Sequence, residues 1–340
     1  MATIPTTMTA ATIVEFNKPI VLKNDIPVPD LPENKILVRI AATSLCSSDL
    51  MAYKGYMDFM TKTPYCGGHE PVGTVVKVGS SVKGYSVGDR VGILMFFDTC
   101  GTCNDCFSGE HRFCSTKKIL GFAESWGGFS EYALADPIST IKLPEGLSFD
   151  VAAPLFCAGI TAYSALLKVK SHAGQLINII GCGGVGHMAI LYARAMGYRV
   201  HVYDISDSKV EFALFLGADA AFNTLTYTGP IESASSTLVV SGANAAYQSA
   251  LGMTSNHGVV LGIGLPAGGV VIDVPAWGTK GVTFVPCNTG SKQELEEALE
   301  LAVRKDIKPL LDIRHIDTIN EAYQDLAEGK INGRIVFHFE

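Results

Sequence analysis

The stretch LINIIGCGGVG, residues 176–186, decides the fold. An apolar run, LINII, ends in the glycine-rich hexapeptide GCGGVG, and the next ten residues, HMAILYARAM, have the small and apolar spacing of a packed helix. A glycine hexapeptide alone is common. A strand that runs into such a loop and a helix that opens on it form a specific arrangement, in which each glycine has a task. Gly181 permits the tight turn, Gly183 lets backbone approach a pyrophosphate, and Gly186 lets helix lie close against strand. Gly184 and Val185 stand at the helix start, where free N–H groups attract phosphates. Asp204 ends the next apolar run, RVHVYD, eighteen residues after Gly186. There it can accept hydrogen bonds from ribose hydroxyls. A carboxylate at that place repels a 2′-phosphate, so NAD is expected rather than NADP. Lys209, five residues further on, either leans on the same ribose or is simply solvated.

Working outward, strand and helix alternate: strands at 199–204, 237–240 and 258–263, helices at 185–196, 209–216 and 245–253. Alternation with continuous apolar strands indicates a parallel sheet covered on both faces. Upstream, residues 152–168 have helical composition. Before Val151 the texture is different: short β-segments (36–41, 73–78, 90–97) punctuated by glycine and proline. A helix is expected at 293–303, and the tail, residues 331–339, returns to strand character and is expected to rejoin the N-terminal domain. The expectation is an α/β chain: a β-rich domain from 1–153 and 289–340, and a doubly wound parallel-sheet domain from 154–288. A length of 340 residues suffices for two domains.

Composition narrows the function. Hydrophobic residues make up 48% and charged residues 17%, a globular balance. The net charge of −7, with no Lys/Arg cluster, argues against nucleic acid as a partner. Residues 1–10 lack the basic start and apolar core of a secretory signal. No apolar run reaches the roughly 18 residues of a membrane span. A cytoplasmic protein with no membrane partner is expected.

Nine cysteines in such a chain are not a disulfide framework. Cys100, Cys103, Cys106 and Cys114 crowd into fifteen residues. Two-residue spacing lets neighbouring thiolates reach one ion, and four sulfurs complete the tetrahedron of a structural zinc site, in a lobe of about 97–115. Unligated thiols on such a polar loop would invite oxidation. Cys46, His69 and Cys157 are far apart, and singly each reads as packing. Together they are a sulfur–nitrogen–sulfur set with one position left open, the form of a catalytic zinc. Asp49 is placed to orient His69 through its other ring nitrogen, and Glu70 to sit near the metal and assist ligand exchange. The plainer reading of both carboxylates is a buried salt bridge. Cys66, Cys182 and Cys287 read as packing thiols.

With these residues in view, the chain resembles the zinc-containing medium-chain alcohol dehydrogenases, particularly microbial ones, over almost its whole length. The motifs are GGHE at 67–70, the four-cysteine lobe, APLFCAGIT at 153–161, the glycine loop, GIGLPAG at 262–268 and GRIV at 333–336. The resemblance implies a GroES-like catalytic domain and a Rossmann NAD-binding domain, two zinc ions per chain, and hydride transfer between an alcohol and NAD with zinc as Lewis acid. It makes Cys46, His69 and Cys157 the catalytic zinc ligands and Cys100, Cys103, Cys106 and Cys114 the structural ones. Ser48 becomes the hydroxyl that hydrogen-bonds the substrate oxygen. Gly264 and Leu265 become backbone contacts to the nicotinamide, and Arg334 a pyrophosphate contact. The implied partners are a small alcohol or carbonyl substrate and copies of the same chain, as homodimer or homotetramer.

The chain departs from that pattern in several places. Ser47 stands where relatives often carry His or Arg to meet the cofactor phosphate. Met51 stands where many carry the histidine that ends a proton relay, and methionine cannot carry a proton. That departure leaves room for a different chemistry, reduction of a conjugated C=C bond or an iminium. Met57 and Met95 replace tryptophans of ethanol-preferring relatives. With Phe156 they are expected to line a pocket larger than one for ethanol, or else to fill core gaps. Two further classes are weighed. A zinc-ribbon binding module leaves the glycine loop unexplained. A zinc-free quinone-reductase-like relative would lack Cys46, His69 and the four-cysteine lobe.

Overall fold

The computed structural model describes residues 4–122, 127–266 and 268–339. Ala267 of the 262–268 motif and the first three residues of the N-terminal segment lie outside the described residues. The chain forms two compact units, one of Met1–Cys157, Ser291–Val303 and Leu310–Glu340, the other of Ala158–Gly290 and Arg304–Pro309.

In the second unit six parallel strands run, from edge to edge, Ala220–Asn223, Arg199–Asp204, Leu176–Ile180, Ala234–Val239, Thr254–Gly262 and Thr283–Pro286. The first strand in the sequence, Leu176–Ile180, is central and buried at all five positions. The chain builds outward from it to one side, then returns and builds to the other. This is a doubly wound sheet, whose ligand crevice lies outside the carboxyl ends of the strands where the order reverses. The helix Gly184–Ala195 opens directly after the glycine loop and buries Met188, Ala189, Ile190, Tyr192 and Ala193. The two edge strands, Ala220–Asn223 and Thr283–Pro286, were not among the expected elements. Each has four residues, and neither is fully buried at any position.

In the first unit a mixed sheet runs Thr140–Lys142, Arg90–Ile93, Pro71–Val78, Ile36–Ser44, Arg334–His338 and Leu311–His315, with Tyr132–Ala135 also pairing with Ile36–Ser44. The tail does rejoin this unit, with Val336 opposite Ser44 and Phe337 opposite Thr43. On its other side the same strand places Thr43 opposite Pro71. Residues just past 44, just before 71 and at 334 are therefore neighbours through strand register. The single strand expected over 90–97 is two, Arg90–Ile93 and Phe96–Phe97. The helical stretch expected over 152–168 is also broken. Phe149–Ala152 is succeeded by a 3-10 turn, Ala153–Phe156, and a new helix begins at Ala158. Pro154 has no N–H to continue the first helix. Cys157 sits at the joint with φ −133° and ψ −68°. No single helix among the described residues is long and apolar enough to cross a membrane.

Candidate active site and metal centres

Register brings the first donor set together. Cys46 lies just past the strand Ile36–Ser44 and precedes the short helix Ser47–Tyr53. Asp49, in the first turn of that helix, ties two segments. Its Oδ2 accepts the Cys46 N–H at 3.0 Å, and its Oδ1 accepts the Gly68 N–H at 3.2 Å. The same Oδ1 lies 3.0 Å from Nδ1 of His69, so the carboxylate holds the imidazole with its proton on Nδ1. Gly68 has φ +89°, and a Cβ there would come within 2.7 Å of the Phe129 nitrogen, so only glycine admits this approach. The imidazole also packs on Phe122, with ring centroids 4.9 Å apart.

That leaves Nε2 of His69 fully buried with no hydrogen-bond partner among the described residues. Cys46 and Cys157, 111 residues apart, bring their sulfurs to 4.0 Å. One donor atom each from Cys46, His69, Glu70 and Cys157 lie within 4.8 Å of one another. An orphaned imidazole nitrogen beside two sulfurs fits zinc, and a buried polar atom without any partner is otherwise costly. Cys46 is held well below the usual thiol range, first by the hydrogen bond from Cys157 and then by His69, against burial. Cys157, as the donor, is pushed well up, and burial adds to it. A bound cation would drive both to thiolate.

Glu70 stands beside this set but is engaged elsewhere. Arg334 Nη2 donates to its Oε1 at 2.5 Å and to Ser44 Oγ at 3.0 Å. Burial pushes the Glu70 carboxyl up to about 8, against the pull of Arg334. Ser48 is half-buried, and its hydroxyl donates to the Cys46 sulfur at 3.2 Å. Met57 is half-buried against an apolar cluster that contains Tyr65, Phe122 and Tyr323, and Met95 is half-buried. Phe156 is wholly buried. A Cβ on Gly92 would meet its ring at 2.0 Å, so this side chain is spent on packing against that glycine.

The four-cysteine loop is built differently. Its sulfurs also lie within 4.8 Å of one another, with Cys100 and Cys106 at 3.9 Å. Backbone N–H groups point at sulfur: those of Thr102 and Cys103 at Cys100, at 3.4 and 3.3 Å, and that of Cys100 at Cys114, at 3.3 Å. The Thr116 hydroxyl first, then the Cys100 N–H, pull the Cys114 thiol down to about 5. Amide donors around converging sulfurs suit thiolates, and four sulfurs leave no place for a substrate. Cys100 is exposed, whereas Cys106 and Cys114 are buried. At the foot of the lobe, Lys35 holds Asp98 at 2.6 Å and Asp136 at 3.1 Å. His111 is half-buried and outside the cluster.

In the second unit the glycine loop has the geometry of a phosphate cradle. Gly181 has φ +103°, and a Cβ on Gly186 would strike the Gly181 carbonyl oxygen at 2.1 Å. A Cβ on Gly183 would meet nothing within 4 Å, so the loop is open at that point. Gly184 and Val185 begin the helix. Asp204 is locked by three backbone donors: Cys182 N–H at 2.7 Å, Ile205 N–H at 2.8 Å and Ser206 N–H at 3.3 Å. Lys209 is half-buried near it. Gly264 and Leu265 lie just past the end of the strand Thr254–Gly262.

Sequence reasoning allowed Glu70 a buried salt bridge but named no partner, and it missed two contacts of the first site: Arg334, which pairs with Glu70 and donates to Ser44, and Phe122, which packs on His69. Nothing in the residue types marks them. The Arg334 contact comes from the strand register that sets Val336 opposite Ser44 and so brings Arg334 to the same end of the strand.

The chain is similar to known proteins over almost its whole length. The sequence profile described as "alcohol dehydrogenase GroES-like domain" matches residues 32–145, and that described as "zinc-binding dehydrogenase" matches residues 184–304. The chain is 35% identical to an alcohol dehydrogenase of Geobacillus stearothermophilus, over 97% of this chain and 99% of that one. It is 36% identical to an alcohol dehydrogenase of Rhizobium meliloti, over 97% and 98%. Among solved structures, it is similar to an acetophenone reductase from Geotrichum candidum in complex with NAD (26% identity, 99% and 98% coverage, TM-score 0.89). It is equally similar to an alcohol dehydrogenase of Aeropyrum pernix (29% identity, 97% and 99% coverage, TM-score 0.89).

Proposed function

The chain belongs to the zinc-containing alcohol dehydrogenase family of oxidoreductases acting on CH–OH groups, and we propose that it interconverts a bulky alcohol and its aldehyde or ketone with NAD. The observation that carries this reading is the convergence of Cys46, His69 and Cys157 from remote segments, with a buried imidazole nitrogen that has no hydrogen-bond partner among the described residues.

When bound, zinc supplies Lewis acidity toward the alcohol oxygen, and NAD supplies the hydride acceptor. The rest is done by this chain's side chains. Cys46, His69 and Cys157 hold the metal, while Asp49 keeps the His69 proton on Nδ1 so that Nε2 presents its lone pair. Glu70, paired with Arg334 through the Oε1 that lies 3.8 Å from His69 Nε2, is close enough to assist ligand exchange, and the substrate oxygen would take the position that the three ligands leave open. Ser48 takes the hydrogen bond from the substrate oxygen. Met51 passes no proton onward, so the proton leaves through water or a ribose hydroxyl. The Gly183–Val185 end of the glycine loop, at the helix start, receives the pyrophosphate on its N–H groups. Asp204, fixed by three backbone donors, takes the ribose hydroxyls and repels a 2′-phosphate. Gly264 and Leu265 meet the nicotinamide.

Met57 and Met95, slimmer and more adaptable than tryptophan, favour a substrate larger than ethanol. We assign the chain to the cytoplasm as a homodimer or homotetramer. Val271 and Val274, 80% and 72% exposed on the second unit, support self-association and make sedimentation analysis its test.

Metal analysis and a substrate panel test the whole reading. Two zinc ions per chain are expected, with turnover of benzyl alcohol or an aryl ketone above that of ethanol, and NAD(H) preferred to NADP(H). Reduction of an enone or iminium, with no turnover of any alcohol, aldehyde or ketone, would sink it.

A further inference from the structure

At the carboxyl side of its central strands, the sheet of the second unit ends in a tier of close backbone contacts. A Cβ on Gly264 would come within 2.0 Å of the Ser241 carbonyl oxygen, one on Gly242 within 3.2 Å of the Leu265 carbonyl oxygen, and one on Gly181 within 3.2 Å of the Ser241 nitrogen. The loops after Leu176–Ile180, Ala234–Val239 and Thr254–Gly262 therefore lie backbone on backbone.

Tyr247, on the helix Asn244–Met253, latches the last of them. Its ring lies over Gly262, where a Cβ would sit 3.1 Å from a ring carbon. Phe284 meets it edge-on at 6.1 Å, and Tyr247 is only 4% exposed. Its hydroxyl donates to the Gly264 carbonyl oxygen at 2.5 Å. The Gly264 N–H donates to the Val239 carbonyl oxygen at 2.9 Å, so the residue is held on both sides. Peptide planarity then orients the next amide. The Gly264 carbonyl and the Leu265 N–H share one plane and point in opposite directions. A hydroxyl that fixes the first aims the second away from the Tyr247 ring. Leu265 is 57% exposed, so this peptide lies where a ligand can reach it.

In a doubly wound sheet the two mononucleotide halves of a dinucleotide lie on opposite sides of the strand-order reversal. Asp204 is on the adenosine side, and the Gly264–Leu265 peptide lies past a strand on the other. We propose that Tyr247 is a positioning residue for the nicotinamide half of the cofactor, its hydroxyl fixing the Gly264–Leu265 peptide against which that half binds. The inference rests on the NAD-dependent reading above. Among ring substitutions, phenylalanine keeps the packing on Gly262 and Phe284 and removes only the latch.

The test is binding, read apart from turnover. Wild type and Tyr247→Phe are titrated with NADH by fluorescence and with ADP-ribose by calorimetry. For the variant, the Kd for NADH should rise about fivefold, as for one lost hydrogen bond, with that for ADP-ribose unchanged within about twofold. In steady state, KM for NAD should rise in step. Equal weakening of both ligands would mark Tyr247 as a general support of the sheet and overturn the inference, as would unchanged NADH binding. A wild-type chain that binds neither ligand would instead remove the functional reading, and this inference with it. The wild-type titration alone tells those failures apart.

Discussion

The loop from Cys100 to Cys114 and the site around His69 draw on similar ligand chemistry over different lengths of chain. The first spans 14 residues between its outermost sulfurs; the second joins sulfurs 111 residues apart. The loop is partly exposed, and its amide donors come from the same short segment. The His69 site is buried, and its donor groups are held by sheet register, by Asp49 and by a joint between two helical segments. A donor set within one loop has little besides the ion to hold it, so metal binding there is folding energy. A donor set placed by a completed sheet exists before the ion arrives. Removing metal from the first should cost stability, and from the second, chemistry.

The sharpest way to break that contrast is Cys157→Ala. One zinc per chain should be lost. Lewis-acid stabilisation is worth several kcal/mol, so kcat/KM should fall on the order of a thousandfold or more. Tm should move by only a few degrees. Cys103→Ala should also leave one zinc, but with the opposite split. Tm should fall by roughly 5 °C or more, and kcat per folded molecule should stay within about threefold of wild type. Metal content, calorimetry and kinetics on the two variants decide it. Loss of turnover in Cys103→Ala as steep as in Cys157→Ala would end the division of labour.

The support behind His69 gives a smaller, more specific effect. Asp49→Asn keeps the shape but weakens acceptance from Cys46, Gly68 and His69 together. Zinc affinity at this site, or kcat/KM at saturating zinc, should drop about 10- to 100-fold. The zinc of the four-cysteine loop should be unaffected, which a competition titration with a chelator can resolve as two separate steps. An equal loss at both sites would mean that Asp49 supports the unit as a whole.

The same contrast explains what could be read from sequence. A ligand set within one loop is legible from spacing, because chain connectivity alone guarantees proximity. The strands Leu176–Ile180 and Arg199–Asp204 were legible too, since apolar runs ending in a glycine loop and an aspartate leave little choice. The edge strands Ala220–Asn223 and Thr283–Pro286 were not, because four partly exposed residues carry no periodicity. At the His69 site, residue types pointed to a donor set, but no local pattern could say that Arg334 would reach Glu70. That contact depends on which strand pairs with Ile36–Ser44, a choice made by the whole sheet. Phe156, an aromatic beside Cys157, was expected in the pocket on residue type alone; its packing over Gly92 is a feature that no local pattern announces.

The smallest expected effect concerns the support of the loop cluster. Thr116 Oγ1 lies 3.4 Å from the Cys114 sulfur and 3.2 Å from the Asp98 carbonyl oxygen, so its one proton serves one contact or the other. It is the local counterpart of Asp49, one side chain behind one ligand. The surroundings differ, because Thr116 is exposed and water can replace its hydroxyl in either contact. Nor does it tie distant segments together, since the loop already holds Cys114 beside it. Thr116→Val should therefore change zinc affinity at the four-cysteine site by less than about threefold, near the lower limit for a single exchangeable hydrogen bond. Chelator competition run beside Asp49→Asn compares the two directly. If Thr116→Val costs as much as Asp49→Asn, then support from outside the ligand set matters equally in both, and burial does not separate a site built by the sheet from one built by its own loop.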